Sequence, residues 1–112
     1  MLDNVGASVE HYMNLLSARQ KLVASNIANA DTPGYKTKDI DFRGEFESQL
    51  ASDAPTPVEV SGLKTKNDGN NVDMDREARL LAENALRFSV AANLAHSEVQ
   101  TLKEAIQEGK SS

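Results

Sequence analysis

The chain predicts an all-α fold: two long terminal helices form an antiparallel coiled-coil hairpin, joined by a largely irregular central segment with room for a short strand. Three observations predict it. Apolar residues recur at heptad spacing in the first 30 residues, and recur again from residue 74 onward. Pro and Gly cluster between the two runs. At 112 residues, with 4% aromatic residues and no Trp, the chain suits long thin helices better than a thick core. It reads as a single domain over 1–112, with an N-terminal helix at 2–30, a turn and connector at 31–72, and a C-terminal helix at 73–108.

In the first helix Leu2, Val5, Val9, Tyr12, Leu16, Arg19, Val23, Asn26 and Ala30 advance alternately by three and four residues, the spacing of a coiled-coil seam. Leu15 and Leu22 widen the stripe, so more than one partner can be faced. Arg19 and Asn26 interrupt it, and polar seam residues fix register at a cost in stability.

The run Asn26-Ile27-Ala28-Asn29-Ala30-Asp31-Thr32-Pro33-Gly34-Tyr35-Lys36 stops that helix. Thr32, preceding proline, is biased away from helical backbone, and Pro33-Gly34 suits the central positions of a type II turn. Asn26 or Asn29 is suited to a left-handed C-terminal cap, while Ala28 and its small neighbours let another backbone approach. Tyr35 leaves the turn with a ring to bury.

The connector holds Pro55 and Pro57, and Ala51 to Pro57 reads as linker. Val58 and Val60 alternate with Pro57 and Glu59 in a way that permits a short strand. Phe42, Phe46 and Leu50 fall at i, i+4 and i+8, the spacing of a short amphipathic turn. Connections this long are either functional or unstructured in the free chain.

The second helix carries its seam at Met74, Ala78, Leu81, Ala85, Phe88, Ala92, Ala95, Val99, Leu102 and Ile106. A sustained seven-residue repeat imposes a left-handed supercoil. Asp73 is its expected N-cap, with Asp75 and Glu77 at the positive end of the helix dipole.

Charge and chemistry exclude several classes. The net charge of −5 shows no basic concentration of the kind nucleic-acid binding requires. No stretch reaches membrane-spanning length, and the first residues lack the ordered regions of a secretory signal. With no Cys, disulfides and thiolate metal sites are absent. His11 and His96 are expected at the surface, without companions that close a metal site. Asp68 to Asp75 is rich in oxygens, but Gly69 falls second after Asp68, not sixth as in a calcium-binding helix-loop-helix; a turn feeding a helix cap fits better. No nucleophile elbow or phosphate loop is present, and neither enzymatic activity nor a cofactor is expected.

The segment from Asn26 to Lys36 resembles the N-terminal signature of the axial proteins of the bacterial flagellum, the rod and hook subunits. Asp68-Gly69-Asn70-Asn71-Val72-Asp73-Met74-Asp75-Arg76-Glu77, with Glu83 to Phe88, resembles the C-terminal region of the proximal rod family, FlgB. Phe88 stands where that family has tyrosine, and the central segment is short for it. The resemblance implies a structural subunit of the basal-body rod in the periplasm, a drive shaft carrying torque from rotor to hook. It also implies export without a cleaved signal through the flagellar type III apparatus, for which Phe42 and Phe46 resemble a recognition motif. The partners implied are other rod subunits and the adaptor joining rod to membrane ring. The rival reading is a soluble helical adaptor or export chaperone of the same system.

Overall fold

The computed structural model describes residues 2–48 and 54–111, with side chains for 5–48 and 54–110. Leu2 as a seam side chain, Leu50 and residues 51–53 of the linker lie outside that range. The described elements are α1 (Leu2–Ala28), β1 (Lys38–Ile40), α2 (Phe42–Ser48), β2 (Pro57–Glu59) and α3 (Met74–Ser111).

The long helices run antiparallel along a body of 72 × 26 × 18 Å. Three contacts fix the direction. Asn26 meets Glu77, Gln20 accepts a hydrogen bond from Asn84 at 3.2 Å, and a Cβ on Gly6 would lie 3.2 Å from Glu98 Oε1. On α1 the inward side is the expected one, with Val9, Leu16 and Val23 buried and Leu15 buried beside them. α1 ends two residues before the expected Ala30, because the chain tightens there: Asn29 N–H donates to Ser25 O at 3.0 Å and Ala30 N–H to Ile27 O at 3.2 Å. Asn26 therefore sits inside the helix and is not its cap.

On α3 the expected seam borders α1 without being buried by it: Ala85 and Phe88 line a cleft with Leu16 and Gln20, and Ala95, Val99 and Leu102 line another with Gly6, Val9 and Met13. Leu80 and Ala91 are buried together with Glu77 and Asn84, whereas Leu81, Phe88, Val99, Leu102 and Ile106 remain 40–52% exposed. The most deeply buried positions include Glu77 and Asn84, and apolar spacing does not register polar positions.

The connector is more structured than its composition suggests. β1 and β2 pair antiparallel with Lys38 opposite Glu59, Asp39 opposite Val58 and Ile40 opposite Pro57. α2 is the amphipathic turn expected at Phe42 and Phe46. Both rings stand edge-on to Tyr12 of α1, at 5.5 and 5.8 Å between centroids, a favoured aromatic arrangement. Asp41 starts α2, its carboxylate accepting from Gly44 N–H at 3.3 Å. His11, expected at the surface, is half-buried: its ring stacks on Phe46 at 5.9 Å and its Nε2 lies 2.9 Å from Glu45 O. His96 is exposed.

Candidate functional site

The two signature segments, far apart in sequence, close on each other at one end of the hairpin. The turn forms as its residues dictate. Gly34 takes φ +76° and Tyr35 N–H donates to Thr32 O at 3.2 Å, the geometry of a type II turn with Pro33 and Gly34 at its centre. Asn29 braces it: its Nδ2 donates to Ser25 O at 2.9 Å, and its Oδ1 accepts from the Thr32 hydroxyl at 3.0 Å.

The loop before α3 wraps this turn. Asn70, fully buried, donates through Nδ2 to both Asn29 O and Thr32 O at 2.8 Å and accepts Val72 N–H at 2.9 Å. Gly34 N–H donates to Asp68 O at 2.9 Å, and Gly69, at φ +89°, passes so close that a Cβ there would lie 3.3 Å from Gly34 Cα. Asn71 Oδ1 accepts from Thr37 N–H at 2.7 Å, and Asn71 O accepts the Thr37 hydroxyl at 3.2 Å. These asparagines carry backbone groups that no helix or strand serves, as buried polar chain requires. Asp73 then caps α3, accepting from Asp75 N–H at 3.0 Å and Arg76 N–H at 3.3 Å, so Asp68 to Asp75 serves as turn and cap.

Beneath the turn lies a buried ionic knot. Asn26, with no exposed surface, uses all four of its hydrogen-bonding positions: Nδ2 donates to Lys38 O at 2.8 Å and to Glu77 Oε1, while Oδ1 accepts the Tyr35 hydroxyl at 2.9 Å and Lys38 N–H at 3.1 Å. Arg19 grips Asp39 with two parallel bonds of 2.9 and 2.8 Å. Arg76 reaches the same Asp39 at 2.6 Å and holds Glu77 at 3.0 and 3.1 Å. The guanidinium of Arg19 also stands 5.8 Å from the Phe42 ring centre. Two cations and two carboxylates thus balance inside one cluster drawn from α1, β1 and α3. Burial pushes the Glu77 carboxyl above its ordinary range, opposed by the Asn26 hydrogen bond and by Arg76.

Arg19 thus joins α1 to the connector, and Asn26 joins α1 to both the connector and α3, within the one chain. The other motif residues have separate fates: Tyr35 is half-buried over Asn26, whereas Ala28, Thr32, Pro33 and Gly34 are exposed. On α1 the seam residue Tyr12 is half-buried and Val5 is 44% exposed; on α3 Ala92 is half-buried. Asp39, Asn70, Arg76 and Glu77 as a cluster were not singled out by sequence reasoning. The spacing of charged residues within short connectors gives no periodic signal; the one available clue was the pair Arg76-Glu77 inside the second signature. Among the described residues no three His, Asp or Glu side chains converge on a metal site, and no helix is long and apolar enough to cross a membrane.

This junction coincides with recognisable family sequence. A family model described as Flagella basal body rod protein matches residues 13–36, which run from the middle of α1 through the turn. The flagellar basal body rod protein FlgB of Escherichia coli (strain K12) is 31% identical over 137 aligned positions, covering 97% of this chain and 99% of that protein. The chain belongs to the FlgB family. FlgB of Salmonella typhimurium matches at the same identity and coverage, and FlgB of Borrelia hermsii is 30% identical over 109 positions, 74% of this chain and 81% of its own. The first alignment has more positions than this FlgB-family chain has residues, so the relative carries sequence with no counterpart here.

Proposed function

We propose that this FlgB-family chain is a structural subunit of the flagellar basal-body rod, in its proximal part, and transmits torque from rotor to hook. The observation that carries the reading is similarity to FlgB along nearly the whole of both chains. The geometry supports a mechanical role. A shaft subunit must resist sliding between its helices, and a buried polar cluster holds one register where an apolar seam permits several. The apolar residues left open along α3 supply surface for neighbouring subunits.

Assembly with other basal-body components follows from this reading. The specific neighbours are copies of this chain, related rod subunits and the adaptor to the membrane ring. The rod lies in the periplasm, reached through the flagellar type III apparatus without a cleaved signal. Phe42 and Phe46 are half-buried against Tyr12 in the fold, so their reading by that apparatus belongs to the chain before it folds. The role needs neither catalysis nor a cofactor.

Electron cryotomography of flagellar bases in a strain lacking the gene, with swimming scored after the gene is restored, tests the reading. Basal bodies that stop at the inner-membrane rings, and regain rod and swimming together, are the expected result. Intact rods in the deletion strain would overturn it in favour of an adaptor or export chaperone.

A further inference from the structure

Among the described residues α2 buries no side chain, and its ring contacts all go to α1. Phe42 and Phe46 stand edge-on to Tyr12, Phe46 also stacks on His11, and Phe42 lies beside the Arg19 guanidinium. The His11 Nε2–H donates to Glu45 O at 2.9 Å, serving one of the last carbonyls that a helix end leaves short of donors. A long bond of 3.3 Å from Thr56 N–H to Glu45 Oε1 ties α2 to the approach to β2. Seven residues are too few for a helix to persist in water alone, so α2 stays helical only while it is docked. Leaving Tyr12 and melting are one event.

The hairpin does not depend on that docking. Asn26 with Glu77, Asn84 with Gln20, and the close pass of Glu98 over Gly6 hold α1 to α3 without a residue of α2. Arg19, which α2 shares, keeps both of its bonds to Asp39 when Phe42 departs, and β1 stays tied to Asn26 through Lys38. Asp41 is the hinge between the fixed strand and the helix: it is exposed, and it accepts from Gly44 N–H and Glu45 N–H, bonds that melt with α2.

Beside α2 lies an apolar flank. A cleft of about 390 Å³, with Val9, Tyr12, Phe46, Leu86, Val90 and Leu94 in its lining, runs between α1 and α3. Leu86, Val90 and Leu94 are 68%, 60% and 51% exposed, and Phe46 is the one residue of α2 that reaches the cleft. Withdrawing Phe46 bares the Tyr12 ring and joins it to this row as a larger patch, of the kind that monomeric chains keep small.

We propose that α2 is a detachable cover: it unfastens from Tyr12 and melts as a unit while the α1–α3 hairpin stays closed, and while fastened it shields the apolar flank of Val9, Tyr12, Leu86, Val90 and Leu94. Tyr12, which holds both phenylalanines, is the catch.

Hydrogen exchange of the purified full chain, followed by mass spectrometry at rising urea concentrations below the unfolding transition, tests this. The expected result is a Phe42–Ser48 peptide that exchanges at least about tenfold faster than Leu15–Val23 and Glu77–Asn84, at a rate urea barely changes, because a small opening exposes little surface. Exchange of all three peptides together, with one urea dependence, overturns the proposal, as does a chain in which α1 and α3 show no protection. Tyr12→Ala should speed exchange of the α2 peptide a further tenfold or so and raise anilinonaphthalene sulfonate fluorescence, whereas Tyr12→Phe, which keeps the edge-on pairs, should match the parent. If Tyr12→Ala loosens the hairpin as well, Phe42→Ala with Phe46→Ala decides, since it alters α2 alone. That variant should free α2 and bind more dye with α1 and α3 still protected; faster exchange in α1 and α3 refutes the independent opening, and unchanged dye binding refutes the shielding.

Discussion

Asn26 of α1 and Glu77 of α3, 51 positions apart in sequence, are both fully buried and hydrogen-bonded to each other. Replacing Asn26 by Ala removes four hydrogen bonds and leaves the Glu77 carboxylate, Lys38 O and Lys38 N–H short of partners. The expected cost exceeds about 2 kcal/mol, since each abandoned buried group loses its solvation without replacement. Urea unfolding followed by far-ultraviolet circular dichroism measures it; a midpoint unchanged from the parent would refute the account.

Asp39 holds two arginines at once, so its loss should exceed that of either arginine alone. Asp39→Ala leaves the part-buried Arg19 without its carboxylate and Arg76 with Glu77 alone, and is expected to cost about 2–4 kcal/mol. Removing a cation along with the carboxylate, as in Arg76→Met with Asp39→Ala, should recover part of that loss. A double-mutant cycle on Asp39 and Arg76 reads the coupling directly, and additive effects would show that the pair does not interact.

Two glycines of the junction separate conformational strain from crowding. Gly34 and Gly69 both have positive φ, but a Cβ at Gly34 meets nothing within 4 Å, whereas one at Gly69 crowds Gly34 Cα at 3.3 Å. Gly34→Ala should cost about 1–2 kcal/mol from backbone strain alone, and Gly69→Ala more, because the crowding atom is backbone and cannot swing aside. Calorimetric melting of the two variants ranks them, and the reverse order would contradict the close packing of loop on turn.

The pH dependence has a definite sign. Because burial raises the Glu77 carboxyl in the folded chain, this group contributes stability that is present below the ordinary carboxyl range and lost as pH rises through the raised value. Compared with Glu77→Gln, which does not titrate, the parent should gain relative stability on going from about pH 8 toward about pH 5. Paired urea titrations across that range give the difference; a parent that loses ground to the variant on acidification would mean that Arg76 and Asn26 outweigh burial.

The helices were legible because burial there is paid in apolar residues at regular spacing: Val9, Leu16 and Val23 announced the inward face of α1. On α3 the same reading found a stripe that borders α1 but missed its most buried positions, since Glu77 and Asn84 are polar. Asp73 as cap and Pro33-Gly34 as turn were legible from local chemistry alone. Docking of the connector was not. It depends on Asn70, Asn71 and Asp39 bonding to groups 30 or more residues away or across two elements, and such side-chain-to-backbone pairing leaves no period in a sequence. The turn and the loop could each be read; that one wraps the other required coordinates.

The meeting of residues 26, 39, 70 and 77 also orders events in time. Closing a loop between Asn26 and Glu77 spans half the chain, and contacts of such separation form late because their entropy must be met before any bond rewards it. A chain met from its N-terminus can pair Arg19 with Asp39 and Asn26 with Lys38 early, but it carries α1 without α3, and the carbonyls of Asn29 and Thr32 without their Asn70 donor, until residues 70 to 77 arrive. The protein withholds its finished shape until roughly two thirds of the polypeptide is in hand.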